Sequence, residues 1–340
     1  MDTEAMMQIA TKAVDQRLRV RAAGLILIRR MLLALPVTAG ITATVFWLAS
    51  IAPFNPLVSY LGSRYERTTA AQREALGEQL GLDEPWYLTW WRWVTDVLHG
   101  DWGLSRLYVQ PVRETLAEKL PYTALLTLTG LSLAVILSLV LACLAARYRG
   151  GFLDRAVVFF AQVAQALPPF VLALLAIVIF ALGLGLPAGG VSFAGQTPTT
   201  GTVALHLVLP ATVLAVSLLP WLLLNLRSSM LEVLESDAVL AARGRGASEA
   251  QILRHEVLPV AVLPFLTVVG SRLGELVTGA LLVESVFAWP GIASAVIDAA
   301  VAADFALLAA ATACSCLMVF AGNALADAGY LLADPRVHDV

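Results

Sequence analysis

The stretch "YTALLTLTGLSLAVILSLVLACLAA", Tyr122 to Ala146, contains no charged residue. The hydrocarbon core of a bilayer is about 30 Å thick, so a helix of roughly 20 mostly apolar residues crosses it. In that solvent every backbone N–H and C=O must be paired within the segment, which makes a lone apolar run a helix. Five more stretches read the same way: Met31 to Ala52, Ala156 to Leu182, Leu205 to Asn225, Phe265 to Phe287 and Phe305 to Leu332. The chain is therefore expected to be an all-α integral membrane protein with six transmembrane helices. Composition agrees, since 59% of the 340 residues are hydrophobic and 14% charged, more apolar side chain than a soluble core uses. The mean hydropathy is +0.79.

Basic residues orient such a bundle, because short loops rich in Lys and Arg stay in the cytoplasm. Lys12, Arg17, Arg19, Arg21, Arg29 and Arg30 precede the first span; Arg147, Arg149 and Arg155 follow the second; Arg227, Arg243, Arg245 and Arg254 follow the fourth. The loops from Gly183 to Ala204 and from Ala288 to Asp304 have none. Both termini are thus expected in the cytoplasm of a prokaryotic cell, beneath its plasma or inner membrane. The expected organisation is a cytoplasmic tail over 1–30, the first span over 31–52 and an extracytoplasmic segment over 53–121. A five-span core then covers 122–332, including a cytoplasmic loop over 226–264, with a cytoplasmic tail over 333–340. Ser50-Ile51-Ala52 offers small residues of the kind found at a signal cleavage site. The apolar run before it is too long for a signal peptide, so the helix is read as retained.

Several chemistries are disfavoured. A net charge of −3 with no basic run argues against nucleic acid. Cys143, Cys314 and Cys316 fall inside apolar stretches, which suits small buried hydrophobes rather than a disulfide framework or zinc site. His99, His206, His255 and His338 have no metal-ligand spacing. The only lysines are Lys12 and Lys119, and neither belongs to a phosphate-binding loop. No catalytic residue, bound cofactor or metal is assigned to this chain, so any nucleotide has to be bound by another.

The extracytoplasmic segment has a charged part, then an aromatic one, "WYLTWWRWVTDVLHGDWG". Trp86, Trp90, Trp93 and Val97 recur at helical spacing, with Tyr87, Trp91, Val94 and Leu98 beside them. Such a helix fits either an anchor at the lipid headgroups or a cap over a translocation path.

The segment between the fourth and fifth spans reads "RSSMLEVLESDAVLAARGRGASEAQILRHEVLPVAVLPFLT", Arg227 to Thr267. Through Ala242 it is helix-forming and amphipathic, with Leu231, Leu234, Val239 and Leu240 among Glu232, Glu235 and Asp237. Gly244 and Gly246 are expected to break the helix. Ser248, with Gln251 three positions later, forms a capping-box pattern that starts a second short helix. Pro259 and Pro264 are expected to end it.

This layout resembles the signature cytoplasmic loop of permease subunits of ATP-binding-cassette (ABC) importers. There two alanines precede a glycine that lies 13 residues before a proline, as Ala241, Ala242, Gly246 and Pro259 do here. Leu240 stands where the wider superfamily often has glutamate. The resemblance extends to "RRMLLALP" from Arg29, "LGLDEPWYLTWWRWVTDVLHGDWGLS", "PVRETLAEKLPYTALLTL", "VESVFAWPGIASAVIDAAVAADFALL" and the close "YLLADPRV" from Tyr330. It is nearest to the dipeptide, oligopeptide and nickel branch. Pro53-Phe54-Asn55-Pro56 departs from that branch's Pro-Gly-Asp-Pro, and Ala166 replaces its serine before Leu167-Pro168.

The resemblance implies a type I ABC importer permease fold with a helical extracytoplasmic insertion between spans 1 and 2. It implies a coupling loop comprising Asp237, Ala241, Ala242, Arg243, Gly244, Arg245, Gly246, Ala247, Ser248 and Pro259. A short helix there would seat in an ATPase subunit, with Gly246 letting two backbones approach closely. Implied partners are a homologous second permease subunit, ABC ATPase subunits holding ATP and Mg, an extracytoplasmic substrate-binding protein and membrane lipid. The implied cargo is peptide, or a nickel chelate or similar small solute.

Polar groups inside spans are costly and usually face the protein interior or water. Arg272 and Glu275 share a helix face and either line a pathway or form a structural ion pair. Glu284, near the outer end of the same span, is a further pathway candidate. Gln162 and Gln165 precede a kink expected at Pro168 and Pro169, and suit either the pathway or hydrogen bonding between helices. A gradient-driven transporter would be expected to show inverted repeats with broken helices, and no clear repeat is found. A sensor or assembly factor would need a folded soluble domain, which is not visible.

Overall fold

Among the described residues the most buried long apolar helix is Thr200–Leu234, 35 residues, and the loop beginning at Asp237 follows its end. The computed structural model describes residues 3–52, 61–79, 84–271 and 273–333. Side chains are described from Ala23 onward, save at 62–63, 78–79, 271, 273–278 and 330–333. In chain order the elements are α1 (Thr3–Ile51), a 3-10 turn (Gly62–Arg67), α2 (Ala70–Gln79), α3 (Trp86–Leu98), β1 (Leu104–Ser105), β2 (Gln110–Pro111) and α4 (Val112–Arg147). Then come α5 (Phe152–Ala166), α6 (Pro169–Ala176) running into a π-helical turn (Ile177–Leu182), and α7 (Thr200–Leu234). After α8 (Asp237–Gly244), α9 (Glu249–Ile252) passes through a second π turn (Leu253–Val257) into α10 (Leu258–Ser271). The chain continues with α11 (Leu273–Val286), α12 (Ile292–Val301) and α13 (Phe305–Ala333).

Five described helices are long and apolar enough to cross a membrane: Ala23–Ile51, Val112–Arg147, Thr200–Leu234, Glu249–Gly270 and Phe305–Gly329. The pair α5 and α6 makes a sixth if it counts as one span. The expected kink there is a break of 106°. Two consecutive prolines explain the size of the bend. Each one pushes the residue before it out of the helical region, so Leu167 (ψ 124) and Pro168 (ψ 146) are both extended. Glu249–Gly270 overlaps the start of the stretch expected to form the fifth span, Phe265 to Phe287. Residues 273–286 of that stretch form α11.

The described chain divides into two units. The first comprises Met1–Leu32, Leu126–Phe287 and Met318–Val340. Its centre is α7, 67% of whose apolar window is buried, against 17–28% for the other four long helices. Helices α5, α6, α10 and α11 all pack on it. Thr199 caps α7 reciprocally with Thr202. Where α4 crosses α7 the fit requires glycine, because a Cβ on Gly130 would lie 2.8 Å from Leu214 Cδ2. Elsewhere in this unit Ala23 packs with Ala328, and Arg30 pairs with Asp327 at 2.8 Å.

The second unit comprises Leu33–Leu125 and Ala288–Leu317. Its anchor is the fully buried Trp289, whose indole N–H donates to the Tyr122 carbonyl at 2.9 Å. The Ile292 N–H donates to Thr123 Oγ1 at 2.8 Å, which ties the start of α12 to α4. The aromatic helix expected from Trp86 forms as α3, but its inner side packs on α1. Trp90 donates to the Thr42 hydroxyl at 3.1 Å, and the Trp93 ring packs at a tilt against Phe46, with centroids 5.6 Å apart. Tyr87, Leu88, Trp91 and Leu98 stay exposed. The expected helix over the first part of the loop, through Ala242, is two helices. It breaks at Ser236, whose extended backbone (ψ 155) starts α8 on Asp237.

Candidate functional site

Helix α8 is two turns long, and its two faces differ in chemistry. Val239 and Ala242 are buried, while Asp237, Leu240, Ala241 and Gly244, at spacing i, i+3, i+4 and i+7, are exposed. These four positions make one outward stripe. The two motif alanines therefore do different work: Ala242 anchors the helix and Ala241 keeps its outer face low. Leu240 projects from that face with 68% exposure.

The turn after α8 closes by a complete Schellman motif. Gly246 has φ +82, its N–H donates to the Arg243 carbonyl at 2.9 Å, and the Ala247 N–H donates to the Ala242 carbonyl at 3.1 Å. A Cβ on Gly246 would meet nothing within 4 Å. The glycine is thus required here by its left-handed backbone, and not by a close approach within this chain. Gly244 does not break the helix but ends it.

Across the turn the second helix starts as the sequence predicts. The Ser248 hydroxyl accepts the Gln251 N–H, and the Gln251 side chain accepts the Ser248 N–H at 2.9 Å. Arg243 then staples the two sides, donating from Nε to Glu249 Oε1 at 2.9 Å and from Nη2 to Oε2 at 3.2 Å. That bond, more than simple attraction, raises the Arg243 pKa above its ordinary value. Ile252 and Val257 are fully buried and fix the far side.

Pro259 does not end this helix. It follows the π turn Leu253–Val257 and sits inside a continuous run from Glu249 to Gly270. A proline in a helix clashes with the carbonyl four residues back and cannot donate to it. The wider π turn moves that carbonyl aside.

Below the loop, charged pairs join it to the α4–α5 connection. Arg149 reaches Glu235 at 2.5 Å, both largely exposed. Arg227, on α7, donates to both oxygens of Asp154, at 2.7 and 2.9 Å, and Asp154 also accepts the Gly150 N–H at 2.9 Å. Asp154 is buried. A cleft of about 740 Å³ opens here, walled by Arg147, Arg149, Glu235, Asp237, Leu240 and Arg243 among others. Sequence reasoning counted Arg147, Arg149 and Arg227 only as orienting charge. The Arg227–Asp154 pair joins residues far apart in the chain, so local pattern held no sign of it.

Of the other predicted residues, the side chains of three are described. Gln162 and Gln165 are exposed on α5, with no hydrogen bond among the described residues. Glu284, on α11, is fully buried. Arg272 and the side chain of Glu275 lie outside the described residues, as do Pro53-Phe54-Asn55-Pro56 and the close from Asp334.

Apolar helices long enough to span a bilayer, with a braced loop at the end of the most buried one, fit a helical membrane protein. Residues 120–339 match the model of the family described as "Binding-protein-dependent transport system inner membrane component", and the chain belongs to that family. It is 32% identical over 313 residues to the oligopeptide transport system permease protein AppB of Bacillus subtilis, covering 92% of this chain and 98% of the relative. It is 31% identical over 312 residues to a putative peptide permease protein of Brucella suis, with 91% and 98% covered. A probable peptide ABC transporter permease protein of Sinorhizobium fredii is 32% identical over 320 residues, with 92% and 99% covered. The chain is accordingly a non-catalytic permease subunit of a binding-protein-dependent transport system.

Proposed function

We propose that this subunit forms half of the pathway of an ATP-driven peptide importer, and that the outward face of α8 seats in an ATPase subunit. A homologous permease supplies the other half, and an extracytoplasmic binding protein delivers the cargo. ATP and Mg belong to the ATPase chains. Both termini and the α8 loop are cytoplasmic, on the distribution of Arg and Lys. The names of the relatives favour peptide over a nickel chelate or similar small solute. Gln162, Gln165, Arg272, Glu275 and Glu284 are the proposed pathway residues.

One observation supports the coupling role above the rest: the loop is stiff and yet presents an apolar residue outward. The Schellman turn, the Ser248 capping box and the Arg243–Glu249 staple fix its shape. Leu240 gains nothing within the chain from its exposure. A rigid element of this kind passes ATPase closure to the spans instead of absorbing it. Leu240→Asp tests the role, since exposed substitutions change folding by about 0.5 kcal/mol or less. The variant should insert and fold normally but lose co-purification with the ATPase subunit and vesicle transport of peptide. Wild-type ATPase binding by this variant refutes the docking role.

A further inference from the structure

A cavity of about 350 Å³ lies within the second unit, walled by residues of α3, the end of α1 and the start of α13. Phe46, Trp86, Trp93 and Phe305 supply its aromatic walls. Two spans set its depth. Phe46, Ala49 and Ser50 fall in the last two turns of the span Ala23–Ile51, and Phe305 and Ala306 open the span Phe305–Gly329. Span ends stand at the level of the lipid headgroups, where tryptophan gathers.

The walls are held by contacts within the unit. The Trp93–Phe46 packing and the Trp90–Thr42 bond fix α3 on α1. The Asp101 N–H donates to the Asp96 carbonyl at 2.9 Å, and Asp101 Oδ1 accepts the Gly103 N–H at 2.9 Å. Arg92 Nη2 donates to both oxygens of Glu84, at 2.7 and 2.6 Å. Asp304 Oδ2 accepts the Ser105 hydroxyl and the Arg106 N–H, both at 2.8 Å, which ties the β1–β2 hairpin to the start of α13.

Three carboxylates, of Glu84, Asp96 and Asp101, and two guanidinium groups, of Arg92 and Arg106, share this cavity. Charges of both signs with acid in excess suit a zwitterion and disfavour a headgroup of net negative charge. Tryptophan faces add attraction for an ammonium. Ionised carboxylates only accept hydrogen bonds, so Asp96 and Asp101 suit a primary ammonium, which donates three, better than a quaternary one, which donates none. Trp93 brings a buried indole N–H with no partner among the described residues, a donor that the fold leaves unused.

We infer that this cavity binds a phospholipid headgroup of the phosphoethanolamine type, with its ammonium at Asp96 and Asp101 and its phosphate beside Arg92 and Arg106. The aromatic helix, expected either as an anchor or as a cap, is then anchored through one particular headgroup as well as through its apolar surface. The inference needs neither the cargo nor the ATPase contact, so it stands or falls apart from the function proposed above.

The test uses the permease complex, purified with its ATPase subunits and given equal amounts of phosphatidylethanolamine, phosphatidylcholine and phosphatidylglycerol with matched chains. Native mass spectrometry of the wild type should show phosphatidylethanolamine retained in preference to the other two. A phosphatidylethanolamine with a diazirine at the top of its acyl chain should crosslink to α3 or to the outer end of α1. Changing Asp96→Asn and Asp101→Asn together should lower the preference about tenfold, because charge-assisted hydrogen bonds are lost. Both side chains are exposed, so the unfolding temperature should stay that of the wild type. Asp96→Asn alone, at a carboxylate that makes no hydrogen bond among the described residues, should shift the preference the same way by less. Equal retention of the three lipids, a preference unchanged in both variants, or crosslinks that miss α3 and α1 overturn the inference. Displacement of the lipid by a dipeptide at equal concentration also overturns it, because the cavity then takes a soluble zwitterion.

Discussion

Replacing Asp154 by asparagine keeps the size of the side chain and removes its charge, leaving Arg227 facing a neutral group. The two side chains are 5% and 23% exposed. Charge centres about 4 Å apart attract by about 4 kcal/mol at an effective dielectric of about 20. Desolvation consumes much of that when the pair forms, but stranding one partner forfeits the attraction and leaves the desolvation, which costs about 3–5 kcal/mol. Arg227 keeps some water, so the lower end applies and Asp154→Asn should lose about 3 kcal/mol. Arg227→Met should lose a similar amount, since Asp154 keeps only the Gly150 N–H. The double variant strands neither charge. It should lose little more than either single change, for a coupling energy of about 2 kcal/mol or more. The other described pairs, such as Arg149–Glu235 and Arg243–Glu249, are 44–64% exposed and should show about 1 kcal/mol or less. Unfolding by sodium dodecyl sulfate titration in mixed micelles, followed by tryptophan fluorescence, measures all three variants. Single-variant losses that simply add would refute the claim that this pair braces α5 against α7.

Two further outcomes follow from local geometry. Ser248→Ala removes the acceptor for the Gln251 N–H and should destabilise the start of α9 by about 1 kcal/mol. Faster hydrogen exchange at Gln251, largely restored in Ser248→Thr, checks this. Burial first, then the carboxylates of Asp298 and Asp304, push the Tyr108 hydroxyl up to about 12 from 10.0. Between those values the folded chain keeps a proton that the unfolded chain has lost. The stabilisation is therefore complete below pH 10 and is lost as pH rises towards 12. Tyr108→Phe should melt with a shallower pH dependence in that window, and identical slopes for both proteins would dismiss the effect.

What could be read beforehand follows the range of the interactions. Spans and the capping box depend on neighbours within a few residues, so the run Tyr122 to Ala146 and the Ser248–Gln251 pair are visible in the sequence. Gly246 is legible in the sequence as a helix stop, and its φ of +82 with open space around it in this chain assigns that need to the backbone. The Asp304 brace on the hairpin joins residues nearly 200 positions apart, and no periodicity announces such a contact. The inner packing of Trp90 and Trp93 was hidden for a related reason. An amphipathic helix shows that it has an apolar face, but not whether lipid or another helix covers it.

Pro259 carries the main consequence for how the loop works. Read as a terminator, it would put a hinge between the coupling turn and the following span. The π turn removes that hinge, so the helix runs unbroken from Glu249 to Gly270, about 33 Å at 1.5 Å per residue. At Gly270 the packing is tight, since a Cβ there would overlap Ala326. At its near end the Schellman turn and the Arg243 staple leave little freedom. Glu249 to Gly270 thus links the turn after α8 to the contact with α13 through one continuous helix. On this geometry the motif's proline is accommodated beside the π turn without ending the helix. The 106° break at Pro168 and Pro169 is the clearest discontinuity in the same unit.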